Sequence, residues 1–277
     1  MKVDLHIHST YSDGQWTPFK LVEEASFRGV SIMAITDHDE MAGSKEIRES
    51  AAKKGITIIS GIELNTDGEE GELHILGYGF DVENKRLCEY IHWRQQERVF
   101  WSKKIVAKLQ QLGYLIDWDA CWKRANEKVI VRTHIADELV DQGYFSDREH
   151  AFQALLMKGA PAFVDREGLS ATEAIELIHH AGGKAFVAHP GEYSWEWSLK
   201  KLVDRGLDGI EVYYSRHKQM TTLYWNHMAD TFNLLKSVGS DFHGPTSRSP
   251  YPIGSVHFNE NEVLAWLKEL SIEEGVY

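Results

Sequence analysis

Apolar residues recur in short runs rich in Val and Ile, near 2–8, 31–36 (SIMAIT), 56–62 (ITIISGI), 73–79, 184–188 (KAFVA), 208–213 (DGIEVY) and 234–240. Runs of this length bounded by polar turns predict seven buried strands. Between the early runs the apolar spacing becomes helical. One helix is predicted over 18–29, with Thr17 as its cap and Pro18 at the first helical position, and another over 40–54, stopping at Gly55. Strand alternating with helix predicts a parallel α/β sheet or barrel. From 84 to 168 the pattern changes: RQQERVFWSKKIVAKLQQLGY, RTHIADELVDQGY and REHAFQALLMKG are amphipathic at a helical period with no convincing strand between them. Alternation resumes in SATEAIELIHHAGGKAFVAHP, where Ser170 and Glu173 form a capping box and Gly182 and Gly183 end the helix. The expected organisation is a barrel domain from 1–83 and 169–277, interrupted by a helical insertion over 84–168.

A chain of 277 residues can bury its own core. Its formal charge of −12 excludes a broad basic field, so no stable hold on duplex nucleic acid is expected and an anionic substrate must be gripped locally. Bound cations would supply that local charge. Cys88 and Cys121 lie far apart and form no C-x-x-C pair, which argues against a thiolate zinc site or a disulfide framework. With no export signal in MKVDLHIHST and no run of membrane-spanning length, the expectation is a soluble cytoplasmic protein.

The first strand carries the first chemistry. In an extended VDLHIHSTYSDG, His6 and His8 share one face while Leu5 and Ile7 share the other. An H-x-H triplet alone is consistent with an exposed strand face or with half of a metal site. What separates the two is the company it keeps at the strand ends, where parallel α/β folds place their sites. Asp13 follows in the next turn, His38 lies in TDHD, Glu63 in GIE, the fourth run carries His74, His189 lies in AHP, and Asp241 and His243 lie in GSDFHGP. Six imidazoles and three carboxylates on one rim would be costly to bury without a metal or mutual pairing.

The motifs DLHIHSTYSDG, ITDHD, GIE, LHILGY, AHPG and GSDFHGP, in this order, resemble the PHP family, named for its polymerase and histidinol-phosphatase members. RTHIADELVDQGY followed by LLMKGAPAFV resembles its stand-alone phosphoesterases, which act on nucleotide 3′,5′-bisphosphates and on the 5′ ends of short RNA. The resemblance implies a distorted seven-stranded, TIM-like β/α barrel and three divalent metals. The first would take His6, His8, Glu63 and Asp241; the second would share Glu63 and add His74 and His189; the third would take Asp13, His38 and His243. Mixed His and carboxylate ligation suits Mn²⁺ best, with Zn²⁺ or Fe²⁺ as alternatives. Such ions lower the pKa of bound water from about 15.7 toward about 7, so phosphate-ester hydrolysis needs no protein nucleophile. Glu63, Asp13, His38 and His189 are the expected catalytic residues of that centre.

For substrate binding, Arg132 and His134 open a helical pattern where an Arg fork could grip a second phosphate. Arg216 and His217, after EVYYS, are further candidates. Trp93, Trp101, Trp118 and Trp122 could stack on a base but are expected in the helical core. Relatives of this branch often carry arginine after HPG, where this chain has Glu192. A histidinol-phosphate-type phosphomonoesterase and a non-catalytic, metal-stabilised module are the competing readings. The intact ligand set argues against the second, and the insertion favours a larger substrate, a phosphate ester of a nucleotide or a short oligonucleotide.

Overall fold

The structure is a computed structural model describing residues 1–68, 70–127, 129–247 and 249–273. Glu69, Lys128, Arg248 and residues 274–277, the end of the expected barrel range, lie outside the described residues. Strands β1 (Lys2–Asp4), β2 (Val30–Met33) and β3 (Thr57–Ile58) form a parallel three-stranded sheet in that order. Strands β4 (Gly61–Asn65), β5 (His74–Tyr78), β6 (Lys184–Val187), β7 (Gly209–Tyr214) and β8 (Leu235–Gly239) form a five-stranded sheet, also in chain order. This differs from the seven parallel strands expected, in two ways. The run over 56–62 contributes to two strands, β3 and β4, interrupted at Ile59 and Ser60. Strand β5 is antiparallel to both β4 and β6, whereas β6, β7 and β8 are mutually parallel. Strand direction is set by how the chain returns and leaves no mark on the local apolar pattern.

Backbone hydrogen bonds run between the two sheets. Leu5 N donates to Val238 O at 2.9 Å and Glu63 N to Asp37 O at 3.3 Å, and isolated parallel bridges join Ile7 with Phe242 and His38 with Glu63. Alternation holds beyond the end of β1: Leu5 joins an apolar cluster with Tyr78, Phe186 and Trp266, and Ile7 joins another with Leu21, Ile35 and Ile47. His6 and His8 are thereby turned the other way.

Helix α1 (Pro18–Arg28) begins where Thr17 Oγ1 accepts from Lys20 N, and stops at Gly29, whose φ of 72° is left-handed. Helix α2 (Ala42–Ala52) ends before Gly55, as its pattern predicts. Residues 84–168 contain α3 (Lys85–Gln111), α4 (Trp118–Arg124), α5 (Arg132–Asp141) and α6 (Arg148–Ala151), the last continued by a π turn over Phe152–Leu156. These helices enclose an apolar cluster of their own built around Trp101, Leu109, Cys121, Ile135, Leu139 and Leu156. Trp118 and Trp122 stack against each other beside it, with ring centroids 5.4 Å apart, while Trp93 is 42% exposed. Helix α3 is tied to the TDHD segment by buried charge. Arg98 Nε donates to Asp39 Oδ2 at 2.9 Å, Arg94 Nε to the same oxygen at 3.3 Å, and Arg94 Nη2 to Asp67 at 2.8 Å. Burial opposes ionisation of Asp39, but the two guanidinium groups outweigh it and hold the carboxyl down at about 2.

Helix α7 (Ala171–His180) has the expected reciprocal cap between Ser170 and Glu173. After it come α8 (Leu199–Val203), α9 (Gln219–Phe232) and α10 (Glu260–Glu273). Among the described residues no helix is long and apolar enough to cross a membrane, and Cys88 and Cys121 are free thiols.

Candidate metal centre

All nine candidate ligands converge. His6 and His8 follow β1; Asp13 sits in a loop held by the buried Asp37, which accepts from Ser9 N at 2.7 Å, Ser9 Oγ at 2.6 Å and Ser12 Oγ at 2.5 Å. Glu63 lies within β4. His74 is the first residue of β5, and because that strand runs backwards its start lies beside Glu63, which accepts from His74 Nδ1 at 2.8 Å. His189 and Asp241 follow β6 and β8 with φ of 28° and 53°. Left-handed backbone at non-glycine residues is strained and is tolerated where the surroundings dictate it.

The donors face one another. His6 Nε2 lies 3.1 Å from His8 Nε2 and 3.3 Å from both Glu63 Oε2 and Asp241 Oδ1. His8 Nε2 is 3.1 Å from Glu63 Oε2, and its Nδ1 is 3.7 Å from Asp13 Oδ1. Glu63, 1% exposed, is the hub, reached also by His189 Nε2 at 3.1 Å and His38 Nδ1 at 3.1 Å. Asp13 Oδ1 is 3.2 Å from His243 Nε2. Four groups have ligand atoms all within 4.8 Å of one another: His6–His8–Asp241, His6–Glu63–His189, His38–Glu63–His74 and His8–Asp13–His38–His243. The last contains the Asp13, His38 and His243 set with His8 added, and Glu63 is shared between two groups.

Asp13 Oδ1, Glu63 Oε2 and His243 Nε2 are buried without a hydrogen bond among the described residues. Each such orphan costs about 1–3 kcal/mol, and oxygen and nitrogen donors aimed at a common point suit a divalent cation. The electrostatics agree. Burial opposes charge on His8, yet the adjoining carboxylates of Asp241 and Glu63 outweigh it and push its pKa up to about 10. Burial likewise opposes ionisation of Asp13, Glu63 and Asp241, but the surrounding imidazoles hold all three well below the ordinary carboxylate range. Three carboxylates that stay ionised in a buried site attract metal cations.

Beside Asp13 and His243 opens a cavity of about 460 Å³, lined also by Lys123, Arg124, Thr133, His134 and Arg148. His134 is buried, which lowers its pKa and keeps it neutral. Its Nδ1 accepts from Val131 N at 3.3 Å, so the ring's proton is on Nε2 as a donor. Arg148 is bound by both oxygens of Asp137, at 2.6 and 2.7 Å, and Arg124 by Glu138 and Asp141. Lys123 has no ion-pair partner among the described residues. The structure places Arg132 elsewhere: it pairs with Glu72, donates to Leu156 O at 3.3 Å and lies over the rings of Phe152 and Phe163. Arg216 pairs with Glu192 at 2.9 Å, and His217 Nε2 accepts from Gly191 N at 3.1 Å. Sequence reasoning missed Lys123, a cation on an exposed helix face, and Glu211, a lone acid within an apolar strand. The second was legible as an anomaly, because an acid inside a buried run needs a partner.

A family model described as PHP domain matches residues 4–131. The chain is 36% identical over 252 residues to a 5′-3′ exoribonuclease of Haemophilus influenzae, covering 88% of this chain and 90% of that one. It is 33% identical over 249 residues to a 3′,5′-nucleoside bisphosphate phosphatase of Chromobacterium violaceum, covering 88% and 87%. The solved structure of an amidohydrolase of C. violaceum, with bound sulfate and no metal, superposes with a TM-score of 0.88 at 30% identity, over 98% of this chain and 96% of that one. With relatives of this similarity along nearly its whole length, and with the PHP domain model matched over residues 4–131, this chain belongs to the PHP family.

Proposed function

We propose that this chain is a metal-dependent phosphoesterase acting on nucleotides, removing the 3′-phosphate of nucleoside 3′,5′-bisphosphates and acting on the 5′ ends of short RNA. The observation that carries this reading is a cluster of nine facing N and O donors opening into a cavity of about 460 Å³ lined by a cation, Lys123, that has no ion-pair partner among the described residues. That volume lies in the range for nucleotide-sized ligands. The names of the H. influenzae and C. violaceum relatives support the substrate class, and the sulfate bound by the structural neighbour is a tetrahedral anion like phosphate.

Three divalent ions, Mn²⁺ favoured and Zn²⁺ or Fe²⁺ as alternatives, would be held by His6, His8, Glu63 and Asp241, by Glu63, His74 and His189, and by Asp13, His38 and His243. When bound, they supply a nucleophilic water at neutral pH and neutralise charge gathering on the phosphoryl group. The chain's own groups bind and orient. Glu63 spans the ligand sets, Asp13 and His243 face the cavity mouth, His134 offers Nε2–H to a phosphate oxygen, and Lys123 offers a full charge farther out. Arg132 and Arg216 are already paired with carboxylates, so each supports a neighbouring element. The hydrogen bonds between sheets support reading them as arcs of one distorted barrel, seven-stranded if β3 and β4 count as one interrupted strand. The separate apolar cluster of the insertion supports a barrel of 1–83 and 169–277 with a helical unit over 84–168. Two free thiols fit a cytoplasmic enzyme.

The test is a hydrolysis screen of the Mn²⁺-loaded protein on adenosine 3′,5′-bisphosphate, a short 5′-phosphorylated RNA and histidinol phosphate, with Glu63→Ala alongside. The expected result is kcat/KM at least tenfold higher on a nucleotide substrate than on histidinol phosphate. Glu63→Ala should lose at least a hundredfold while keeping its circular dichroism. Preference for histidinol phosphate would make this a phosphomonoesterase of that type, and no turnover on any substrate would leave a non-catalytic module.

A further inference from the structure

Strand β7 carries two side chains toward the metal centre that are outside the ligand set. Its pairing with β8 runs Ile210 opposite Lys236 and Glu211 opposite Ser237, and then Tyr213 opposite Val238 and Tyr214 opposite Gly239. Val212 is therefore an extra residue, a β-bulge. In an unbroken strand Glu211 and Tyr214, three apart, would face opposite sides. The bulge brings them opposite Ser237 and Gly239, two apart, and so onto one face.

On that face the fully buried Glu211 makes two bonds. Its Oε1 accepts from His6 Nδ1 at 3.0 Å, and its Oε2 accepts from the backbone N–H of His189 at 2.7 Å. Tyr214 OH donates to Asp241 Oδ2 at 2.9 Å. Close approach here depends on Gly239, since a Cβ at that position would lie 2.2 Å from His6 Cβ and 2.4 Å from Glu211 Oε1.

We infer that the β7 bulge is a positioning device, through which Glu211 and Tyr214 hold His6, His189 and Asp241 from behind and set the affinity of the metal centre. The inference rests on the metal reading proposed above. A carboxylate on His6 Nδ1 keeps that ring's proton on the far side and leaves the Nε2 lone pair directed into the cluster. The second oxygen restrains the left-handed His189, whose backbone would otherwise relax and withdraw its imidazole. Both oxygens are needed, so glutamine, with one acceptor, preserves the shape of the side chain and loses one of the two bonds.

Glu211→Gln and Tyr214→Phe separate this role from simple packing. Each full-length variant is stripped with chelator, and Mn²⁺ affinity is measured by titration followed by electron paramagnetic resonance of the free ion. Thermal midpoints of the stripped proteins are recorded in parallel. Glu211→Gln should weaken the tightest Mn²⁺ site by tenfold or more and Tyr214→Phe by threefold or more, with stripped midpoints within two degrees of the stripped parent. Should Glu211→Gln not fold, the Tyr214→Phe result decides, since that change removes one oxygen from an otherwise unaltered ring. Affinities within twofold of the parent would overturn the inference alone, as would a loss of affinity matched by a destabilised stripped protein. A parent that binds no Mn²⁺ would overturn the metal reading as well.

Discussion

Lys123 and Arg132 carry the same charge in different surroundings. The Arg132 guanidinium is paired with Glu72 and covered by Phe152 and Phe163, and burial lowers its pKa without removing its charge. Lys123 stands on the cavity wall with no carboxylate to offset it among the described residues. A second phosphate entering the cavity would meet Lys123 at little cost, whereas Arg132 would first have to leave Glu72. Lys123→Ala should therefore lower kcat/KM on adenosine 3′,5′-bisphosphate roughly ten- to a hundredfold, about 1.5–3 kcal/mol, and leave p-nitrophenyl phosphate within twofold. Arg132→Ala should reduce both substrates equally and lower the thermal midpoint. Selective loss in Arg132→Ala, with Lys123→Ala indifferent, would return the second-phosphate role to the residue that the motif resemblance favoured. That resemblance identifies Arg132 by its neighbours in sequence, and the partner that neutralises it lies 60 residues away, where no local pattern reports it.

At the scale of elements, α7 shows how a cap and a terminal charge fix a helix to its strands. Ser170 and Glu173 close its start, and at its other end His179 Nε2 lies 2.7 Å from Asp208 Oδ2, which also accepts from Ala185 N in β6 at 2.8 Å. The hydrogen bond to Asp208 raises the pKa of His179 above 6.5, outweighing partial burial. Because the folded value exceeds the unfolded one, the stabilisation is fully present below about pH 6.5 and is lost as pH rises through the folded value. Differential thermal unfolding of the parent and His179→Gln should show the widest gap in the acidic range, closing as the solution is made alkaline. A gap that widened with pH would mean that the neutral ring is the stabilising form. The caps of α1 and α7 and the stop at Gly55 were legible because each is written in adjacent residues. The reversal of β5 was not, because apolar alternation is the same in either direction. His74 was identified as a ligand candidate on the premise of parallel strand ends, and it reaches the rim because its strand runs the other way.

The whole molecule gathers nine titratable side chains at one rim, and its stability should depend on what fills that place. Six imidazoles and three carboxylates were legible as a set because each follows or opens an apolar run, so a single rim gathers them whatever the details of strand pairing. Glu211 escaped notice because its partners, His6 and His189, lie far from it in sequence and are brought to it only by the folded chain. In the folded chain the orphaned Asp13 Oδ1, Glu63 Oε2 and His243 Nε2 oppose the compact state, and cations that bind only that state offset them. At a free-ion concentration a thousandfold above the dissociation constant, one ion contributes about 4.1 kcal/mol, which for a chain of this size is a midpoint shift of roughly 8–16 °C. Purified protein should accordingly hold two to three transition-metal ions per chain by elemental analysis. Dialysis against a strong chelator should abolish activity and lower the midpoint by at least the single-ion amount, and added Mn²⁺ should restore both. Fewer than one ion per chain in fully active protein would sink the reading. So would a stripped protein that unfolds at the parent's temperature, because the cluster would then be satisfied by its own protons and ion pairs.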